Sequence, residues 1–432
     1  MSEVSKKITG SVEIRKEQLE KIKNISDFKE ELEKSLSEIT SEILEIILAG
    51  SLGLGASDIH IEPEGEKAKI RLRLDGILQD VAYLDKKTYE NLLSRIKLLS
   101  GVKLNITDRP QDGRFSIVIG SETIENRVSS LPSEYGESVV VRILNPKSLI
   151  SLEDLGLRQD LLNLFSKELK QPNGMIIVTG PTGSGKTTTL YAFLKKILSP
   201  EIKIITIEDP IEYRLPGISQ TQTAPDKGYD FASGLRSIVR QDPDVILVGE
   251  IRDLETANIS LQASLTGHLV LTTLHTNDAA GTIARLINLG AKPADIGPAI
   301  NLAIAQRLVR KVCRKCAEFG SPSDEILKNF KGNLKGIKIT GLPKIDAKLK
   351  IPKAVGCKEC NQTGYKGRVG IFEAFLIDDT MEKFILKNPS IAALREEAIN
   401  QGGMTTMMQD GIVKILQGVT TPEEIERVMG ES

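Results

Sequence analysis

The glycine-rich segment at positions 180–187 constrains this chain more than any other feature of its sequence. It reads Gly-Pro-Thr-Gly-Ser-Gly-Lys-Thr and matches the pattern G-x-x-x-x-G-K-[ST] in full. The apolar residues 174–179 before it predict a strand, and the residues after it predict a helix to about Leu198. Glycines allow backbone N–H groups to close around phosphate oxygens, and a helix N-terminus adds partial positive charge. The segment therefore predicts a phosphate-binding P-loop in an α/β domain rather than a chance glycine-rich turn.

The chemistry of a P-loop gives its lysine and threonine separate tasks. Lys186 is expected to reach the β- and γ-phosphates of ATP, and the Thr187 hydroxyl is expected to ligate Mg²⁺. The predicted ATP-binding residues are Gly180, Pro181, Thr182, Gly183, Ser184, Gly185, Lys186, Thr187 and Thr188.

Acidic residues stand at the ends of two later predicted strands. Glu208 follows residues 204–207, and Glu250 follows residues 245–249. A P-loop enzyme needs carboxylates at neighbouring strand tips to hold the metal and to orient or deprotonate water. We interpret both as functional rather than merely solvated. Glu250 stands where an aspartate is usual, so its carboxylate is expected to hold Mg²⁺ through a water.

The three histidines differ in their expected roles. His268 and His275 bracket one apolar strand, and His275 lies at its carboxyl end, where α/β sheets bind ligands. We interpret His275 as a sensor of the γ-phosphate and His268 as structural. His60 occupies an ordinary strand position.

All four cysteines of the chain fall in two C-x-x-C pairs. Four thiolates suit tetrahedral Zn²⁺, and closed sites of this kind are structural. The segment between the pairs is longer than in a usual zinc ribbon, which predicts a looped-out module. Incidental thiols and redox chemistry are the weaker readings. The predicted zinc ligands are Cys313, Cys316, Cys357 and Cys360.

Periodicity divides the chain into three parts. Residues 1–37 are predicted to form an amphipathic helical segment. Apolar residues at helical spacing predict one helix over residues 11–50, either docking on its own domain or pairing with a partner helix. Residues 38–148 alternate in the manner of strands around one helix and predict an α+β domain. Residues 149–432 alternate strands and helices, which implies a parallel sheet covered on both faces. This last part includes the zinc module, 313–372, and a helical part, 373–432.

Composition limits the classes of partner. A net charge of −1 over 432 residues gives no overall attraction for nucleic acid, and 4% aromatic residues offer little stacking surface. No apolar run is long enough to span a membrane, and none follows the N-terminal lysines as in a secretory signal. We therefore expect a cytoplasmic protein that does not bind nucleic acid directly.

Taken in order, the motifs resemble those of the assembly ATPases of type II secretion and type IV pilus systems, the GspE/PilB group. The likeness covers roughly residues 38–432. The segments that carry it are 55–63 (GASDIHIEP), the P-loop, 206–213 (TIEDPIEY, like the family's Asp box), 235–253 (LRSIVRQDPDVILVGEIRD, like its Walker B region), 266–277 (TGHLVLTTLHTN, like its His box), the cysteine pairs and 364–373 (GYKGRVGIFE).

The resemblance implies a RecA-like ATPase domain preceded by a PAS-like domain, in a homohexamer that is peripheral to the inner membrane and acts on a platform protein there. It suggests Glu208 as the activator of water and Glu250 as the acid beside the metal. It also suggests phosphate-facing arginines, some acting across a subunit interface. These are Arg127, Arg142, Arg236 and Arg240. Family members usually carry a further N-terminal docking domain, for which the segment before residue 38 is too short.

Three other functions compete with an assembly motor. A pilus-retraction ATPase has a similar core but lacks the four-cysteine module. A RecA-like translocase would move nucleic acid, which the charge and aromatic content disfavour. An ATP-gated scaffold would bind but not hydrolyse ATP, and it predicts that Glu208→Gln leaves function intact.

Overall fold

The computed structural model describes residues 10–36, 38–337, 342–400 and 403–430. Chain contacts divide it into two compact units. The first unit runs to Pro146 and also includes Cys313–Cys316 and Val355–Lys366, whereas the second begins at Lys147 and holds the remaining segments. The sequence had grouped the cysteine segments with the ATPase domain, and the contacts of the structure group them with the first unit instead. No helix within the described ranges is long and apolar enough to cross a membrane.

The first unit is built on one seven-stranded sheet. Alternate residues of its strands are buried, as in the pattern of Lys67–Leu74, so one face of the sheet covers a core. The strands are β1 (Ser11–Glu13), β2 (Asp58–Glu64), β3 (Lys67–Leu74), β4 (Ile77–Asp85), β5 (Gln111–Ile119), β6 (Glu122–Ser133) and β7 (Gly136–Leu144). Their order is β1-β5-β6-β7-β2-β3-β4, with β1 parallel to β5 and the other pairs antiparallel.

The prediction of one helix over residues 11–50 is wrong. After β1 the structure has α1 (Lys16–Lys21), α2 (Ile25–Ser35) and α3 (Thr40–Gly53), and α4 (Lys86–Ser100) follows later in the chain. The reason for the break is Asn24, whose extended backbone and side chain cap α2 by accepting the Asp27 N–H. Apolar residues of α2 and α3 are nevertheless buried in the unit's own core, as an amphipathic segment docking on its own domain requires.

A second seven-stranded sheet forms the centre of the second unit. Its strands are β8 (Gly174–Thr179), β9 (Ile204–Glu208), β10 (Ser219–Gln222), β11 (Val245–Val248), β12 (Leu269–Leu274), β13 (Ile300–Val312) and, after the short antiparallel pair β14 (Glu318–Gly320) and β15 (Ile351–Lys353), β16 (Tyr365–Leu376). Their order is β10-β9-β11-β12-β8-β13-β16. The pairs from β10 through β13 are all parallel, so the carboxyl ends of β8, β9, β11 and β12 meet at one edge.

Helices cover the second unit's sheet and form its C-terminal part. They are α5 (Gln159–Glu168), α6 (Lys186–Ile197), α7 (Phe231–Val239), α8 (Leu254–Leu265), α9 (Ala280–Leu289), α10 (Pro293–Ala299), α11 (Asp324–Asn333), α12 (Asp379–Ile385), α13 (Ile391–Asn400), α14 (Met407–Leu416) and α15 (Pro422–Met429). Apolar clusters lie on both faces of the sheet, as a parallel sheet requires. The strand β8, buried throughout, leads directly into the glycine-rich segment.

Candidate nucleotide site and cysteine cluster

The P-loop connects β8 to α6, and its backbone requires glycine. Gly180 has φ +148°, and a Cβ there would lie 2.5 Å from the carbonyl oxygen of Gln306. Gly185 has φ +89° and caps α6, which begins at Lys186. Both positions combine left-handed backbone with close neighbours, so a larger residue would displace the loop. Thr187 and Thr188 lie half-buried in the first turn of α6.

The Lys186 side chain folds back over the P-loop. Its Nζ donates to the carbonyl oxygens of Gly180 at 2.8 Å and Pro181 at 3.2 Å. Burial lowers the pKa of Lys186, and the negative charge of Glu250 opposes that shift. The lysine of the P-loop and the acid that follows β11 therefore act on each other electrostatically within one unit.

Gln306 of β13 holds the P-loop through side-chain hydrogen bonds, a role that the sequence did not predict. Its side chain is 1% exposed. Its Nε2 donates to the Ser184 carbonyl oxygen at 2.6 Å, and its Oε1 accepts the Thr189 hydroxyl at 2.7 Å. These two bonds fix the loop against the first turns of α6. The available signal was the first polar residue after the apolar run 302–305.

Glu250 and His275 meet at the carboxyl edge of the parallel sheet. The His275 Nε2 lies 3.3 Å from the Glu250 Oε2, and the Arg252 Nη2 lies 2.5 Å from the Glu250 Oε1. Burial alone would raise the pKa of Glu250, but the hydrogen bond and charge of Arg252, helped by His275, outweigh it and lower that pKa. The site thus holds an ionised carboxylate beside the P-loop lysine, as a metal-side acid requires.

Glu208 is buried and its carboxylate accepts three side-chain donors. It is 4% exposed at the end of β9. Thr206 donates to its Oε1 at 2.6 Å, Gln220 donates to the same oxygen at 3.2 Å, and the Tyr191 hydroxyl makes a short hydrogen bond to its Oε2. An ionised carboxylate has about four acceptor positions, so these three donors leave one on Oε2 for a water.

The four predicted arginines lie in different units. Arg127 and Arg142 are cross-strand partners on β6 and β7 of the first unit, and the Arg142 Nε donates to the Asp58 Oδ1 at 2.8 Å. Arg236 of α7 forms an ion pair with Glu255 in the second unit. Arg240 ends α7 and donates to the Arg236 carbonyl oxygen at 2.9 Å. Within the second unit, Lys186, Glu250 and His275 converge, whereas a phosphate-facing role for the arginines stays a prediction.

The two C-x-x-C pairs come together in the first unit. Sγ distances are 3.9 Å between Cys313 and Cys357, and 3.8 Å both between Cys316 and Cys360 and between Cys357 and Cys360. A tetrahedral Zn²⁺ with Zn–S bonds of about 2.3 Å places its sulfurs about 3.8 Å apart. The spacing therefore fits zinc and not a disulfide, whose sulfurs lie about 2 Å apart.

Backbone amides prepare the cluster for a metal. The N–H groups of Cys357 and Gly364 donate to the Cys360 Sγ at 3.2 and 3.3 Å. Burial would raise the pKa of Cys360, but these donors lower it to about 7. Burial raises the pKa of Cys313 and raises that of Cys316 to about 12. The amides therefore favour the thiolate, the form that ligates zinc, at Cys360 and not at these two cysteines.

Comparison with known proteins places these features in one family. The model of the Type II/IV secretion system protein family matches residues 32–427. The chain belongs to this family. It is 43% identical over 398 residues to the type II secretion system ATPase E of Vibrio cholerae, covering 90% of this chain and 75% of that protein. It is also 43% identical over 371 residues to the type IV pilus assembly ATPase PilB of Thermus thermophilus, covering 86% of this chain and 41% of that protein.

Solved structures support the fold class. The Legionella pneumophila ATPase DotB superposes with a TM-score of 0.65 at 22% identity, covering 90% of this chain and 96% of that one. The pilus retraction motor PilT with bound ADP superposes with a TM-score of 0.57 at 26% identity, covering 88% and 95%. The predicted α/β class with a RecA-like P-loop domain is confirmed, and the chain is an ATPase of the secretion and pilus family.

Proposed function

We propose that this ATPase is a homohexameric motor that powers type IV pilus assembly or type II protein secretion from the cytoplasmic face of the inner membrane. It would move its two units against a membrane platform protein, to which it is recruited peripherally. The observation that carries the proposal is the convergence of Lys186, Glu250 and His275 beside the P-loop. The names of two relatives, a secretion ATPase and a pilus assembly ATPase, supply the two machines.

The catalytic roles follow from position and charge. The P-loop amides and Lys186 would hold the phosphates of ATP, and Thr187 would ligate Mg²⁺. Glu250, kept ionised by Arg252, would hold a water of the metal's shell. His275, half-exposed and 3.3 Å from Glu250, would sense the γ-phosphate.

Glu208 and the arginines complete the proposed site. Glu208 would activate water through the acceptor position that its three donors leave open; without that role, its bonds would make it a support for β9. Arg127 and Arg142 from the first unit, with Arg236 and Arg240 from the second, would neutralise charge on the transferring phosphoryl group. A site completed by a neighbouring subunit would make ring assembly a condition of turnover.

Zinc in this proposal has a structural role. The four cysteines would hold one Zn²⁺ in a closed site with no open coordination position for a water. The ion would stabilise the segments Cys313–Cys316 and Val355–Lys366 and take no part in hydrolysis.

The site is tested by Lys186→Ala. We expect loss of ATP turnover, because the β- and γ-phosphates lose their cation, with zinc content unchanged. Steady-state hydrolysis and metal analysis on the same preparation measure both, and retained turnover would refute the assigned site. Glu208→Gln run in parallel separates a catalytic carboxylate from a supporting one: unchanged turnover would assign water activation to another acid.

The machine is tested by stimulation of the wild-type ATPase. Purified platform protein from the same bacterium, reconstituted in lipid, should raise hydrolysis, whereas single- and double-stranded DNA should not. Stimulation by DNA alone would favour the translocase reading. A ring is tested by mass photometry with ATP and Mg²⁺, where a particle of six chains is expected.

A further inference from the structure

The segment 364–373 ends in a buried glutamate to which the proposed ATP site gives no role. Glu373 lies on β16 and is 1% exposed. Its Oε1 accepts the Ala279 N–H at 2.9 Å, and its Oε2 accepts the Met407 N–H at 3.1 Å. One carboxylate thus connects the amino ends of two helices, because Ala279 caps α9 and Met407 begins α14.

Ala279 belongs to the loop that carries His275. This loop, residues 275–279, connects β12 to α9. Its Thr276 donates its N–H to the Thr179 Oγ1 at 2.8 Å, and Thr179 is the buried last residue of β8, next to Gly180. The Thr276 hydroxyl donates in turn to the Asp278 carbonyl oxygen at 2.9 Å. The loop 275–279 is therefore hydrogen-bonded to Thr179, the residue before the P-loop, at one end and to Glu373 at the other.

We propose that Glu373 is a positioning residue for catalysis, holding the loop 275–279 so that His275 and Glu250 keep their geometry at the ATP site. The carboxylate would also connect this loop to the C-terminal helices through the amino end of α14. The inference rests on the nucleotide site proposed above.

The buried position of Glu373 disfavours the ionised form of its side chain. Burial raises the pKa of Glu373; the hydrogen bonds from Ala279 and Met407 and the charge of Arg395 offset part of the rise, and Asp278 adds to it. A raised pKa means that the ionised form costs folding free energy in the pH range above its ordinary value. The geometry gives the reason for a carboxylate at this position: one N–H donates to each of its two oxygens, and a glutamine amide has only one oxygen to accept with.

The test is Glu373→Gln in the full chain. Glutamine keeps the shape but places an NH₂ donor against one of the two N–H donors. We expect kcat to fall about tenfold, because the released loop misplaces His275 and Glu250 relative to the transition state. The dissociation constant for a fluorescent ATP analogue with Mg²⁺ should change less than about twofold, since the P-loop contacts remain. Glu373→Asp, one methylene shorter, keeps the charge but reaches one donor, and an intermediate kcat is expected.

Glu424→Gln is the matched control. Glu424 is equally buried, but its carboxylate is bonded to Arg310 and Arg427, away from the loop. This variant should lose thermal stability and keep kcat. An unchanged kcat per folded molecule in Glu373→Gln, or in Glu373→Asp if the glutamine variant does not fold, overturns the inference. Lys186→Ala separates the two proposals: its retained turnover would refute the site, whereas its inactivity together with a normal Glu373→Gln would refute only the role of Glu373.

Discussion

At the scale of single residues, the charge state of Glu250 is controlled by its neighbour Arg252. The guanidinium offsets the burial that would otherwise raise the pKa of the carboxyl. In Arg252→Ala we expect the pKa of Glu250 to rise, so the acid limb of the pH profile of kcat/KM should move to higher pH by about one unit at low salt. Steady-state rates from pH 5 to 8, measured at about 50 mM and 500 mM salt, give the shift.

Arg252→Lys is the control for that shift, because it keeps a positive charge on the same backbone. The acid limb of Arg252→Lys should stay near that of the wild type. At high salt, which screens the exposed guanidinium, the acid limb of the wild type should move towards that of Arg252→Ala. An acid limb that stays in place in Arg252→Ala would show that Glu250 is not the group whose ionisation limits the rate.

Residues with a motif could be predicted from the sequence, and those without one could not. The P-loop, Glu250, His275 and the cysteines stand at fixed spacings, and the structure brings Lys186, Glu250 and His275 to one edge. Gln306 follows an apolar run and Glu373 ends the segment 364–373, but neither position in the sequence reveals what the side chain contacts. Their hydrogen-bond partners lie 34 or more positions away, so only the fold reveals them.

At the scale of elements, helical periodicity predicted that apolar residues such as Phe28, Leu32 and Ile43 are buried, but it did not predict the interruptions between helices. Asn24 starts a new helix, because its side chain accepts the Asp27 N–H, which has no backbone partner in the first turn of a helix. The strand β13 was not predicted from the sequence. Residues 300–312 contain a buried apolar run but lack the flanking turn residues that mark the ends of a strand. Tertiary burial decides such segments, and local pattern does not.

The Asn24 cap predicts a change in the free energy of unfolding whose sign differs between a separate, capped α2 and one continuous helix over residues 11–50. In Asn24→Ala the free energy of unfolding should fall by about 1 kcal/mol, because α2 loses its cap. A continuous helix over residues 11–50 would instead gain about half a kcal/mol, since alanine has the higher helix propensity. Urea denaturation followed by circular dichroism measures the difference. Asn163→Ala, an exposed position within α5, is the control and should stabilise slightly or change nothing.

At the scale of the whole molecule, chain order and spatial grouping differ. The cysteine segments lie between β13 and β16 in sequence, yet they belong to the first unit by contact. The Asn361 Oδ1, one residue after Cys360, accepts the N–H of Ile25 at 2.8 Å, at the start of α2. The sequence predicted that the four cysteines come together but not this attachment, because C-x-x-C spacing favours a shared metal and says nothing of the surface on which the module packs.

Because of this attachment, we expect a Zn²⁺ ion held by the four cysteines to order the start of α2. Cys360→Ser should lower zinc below one ion per chain, release the turn that presents Asn361 and speed hydrogen exchange at the Ile25 amide. Amides of β8 in the second unit should keep their protection, because no cysteine lies in that unit. Hydrogen-exchange mass spectrometry measures the amide protection, and metal analysis measures the zinc content. Lys186→Ala is the control, which should keep both zinc and protection at Ile25. Unchanged exchange at Ile25 after zinc loss would mean that the turn Cys357–Asn361 holds its shape without the metal, and that the four sulfurs are brought to tetrahedral spacing by packing alone.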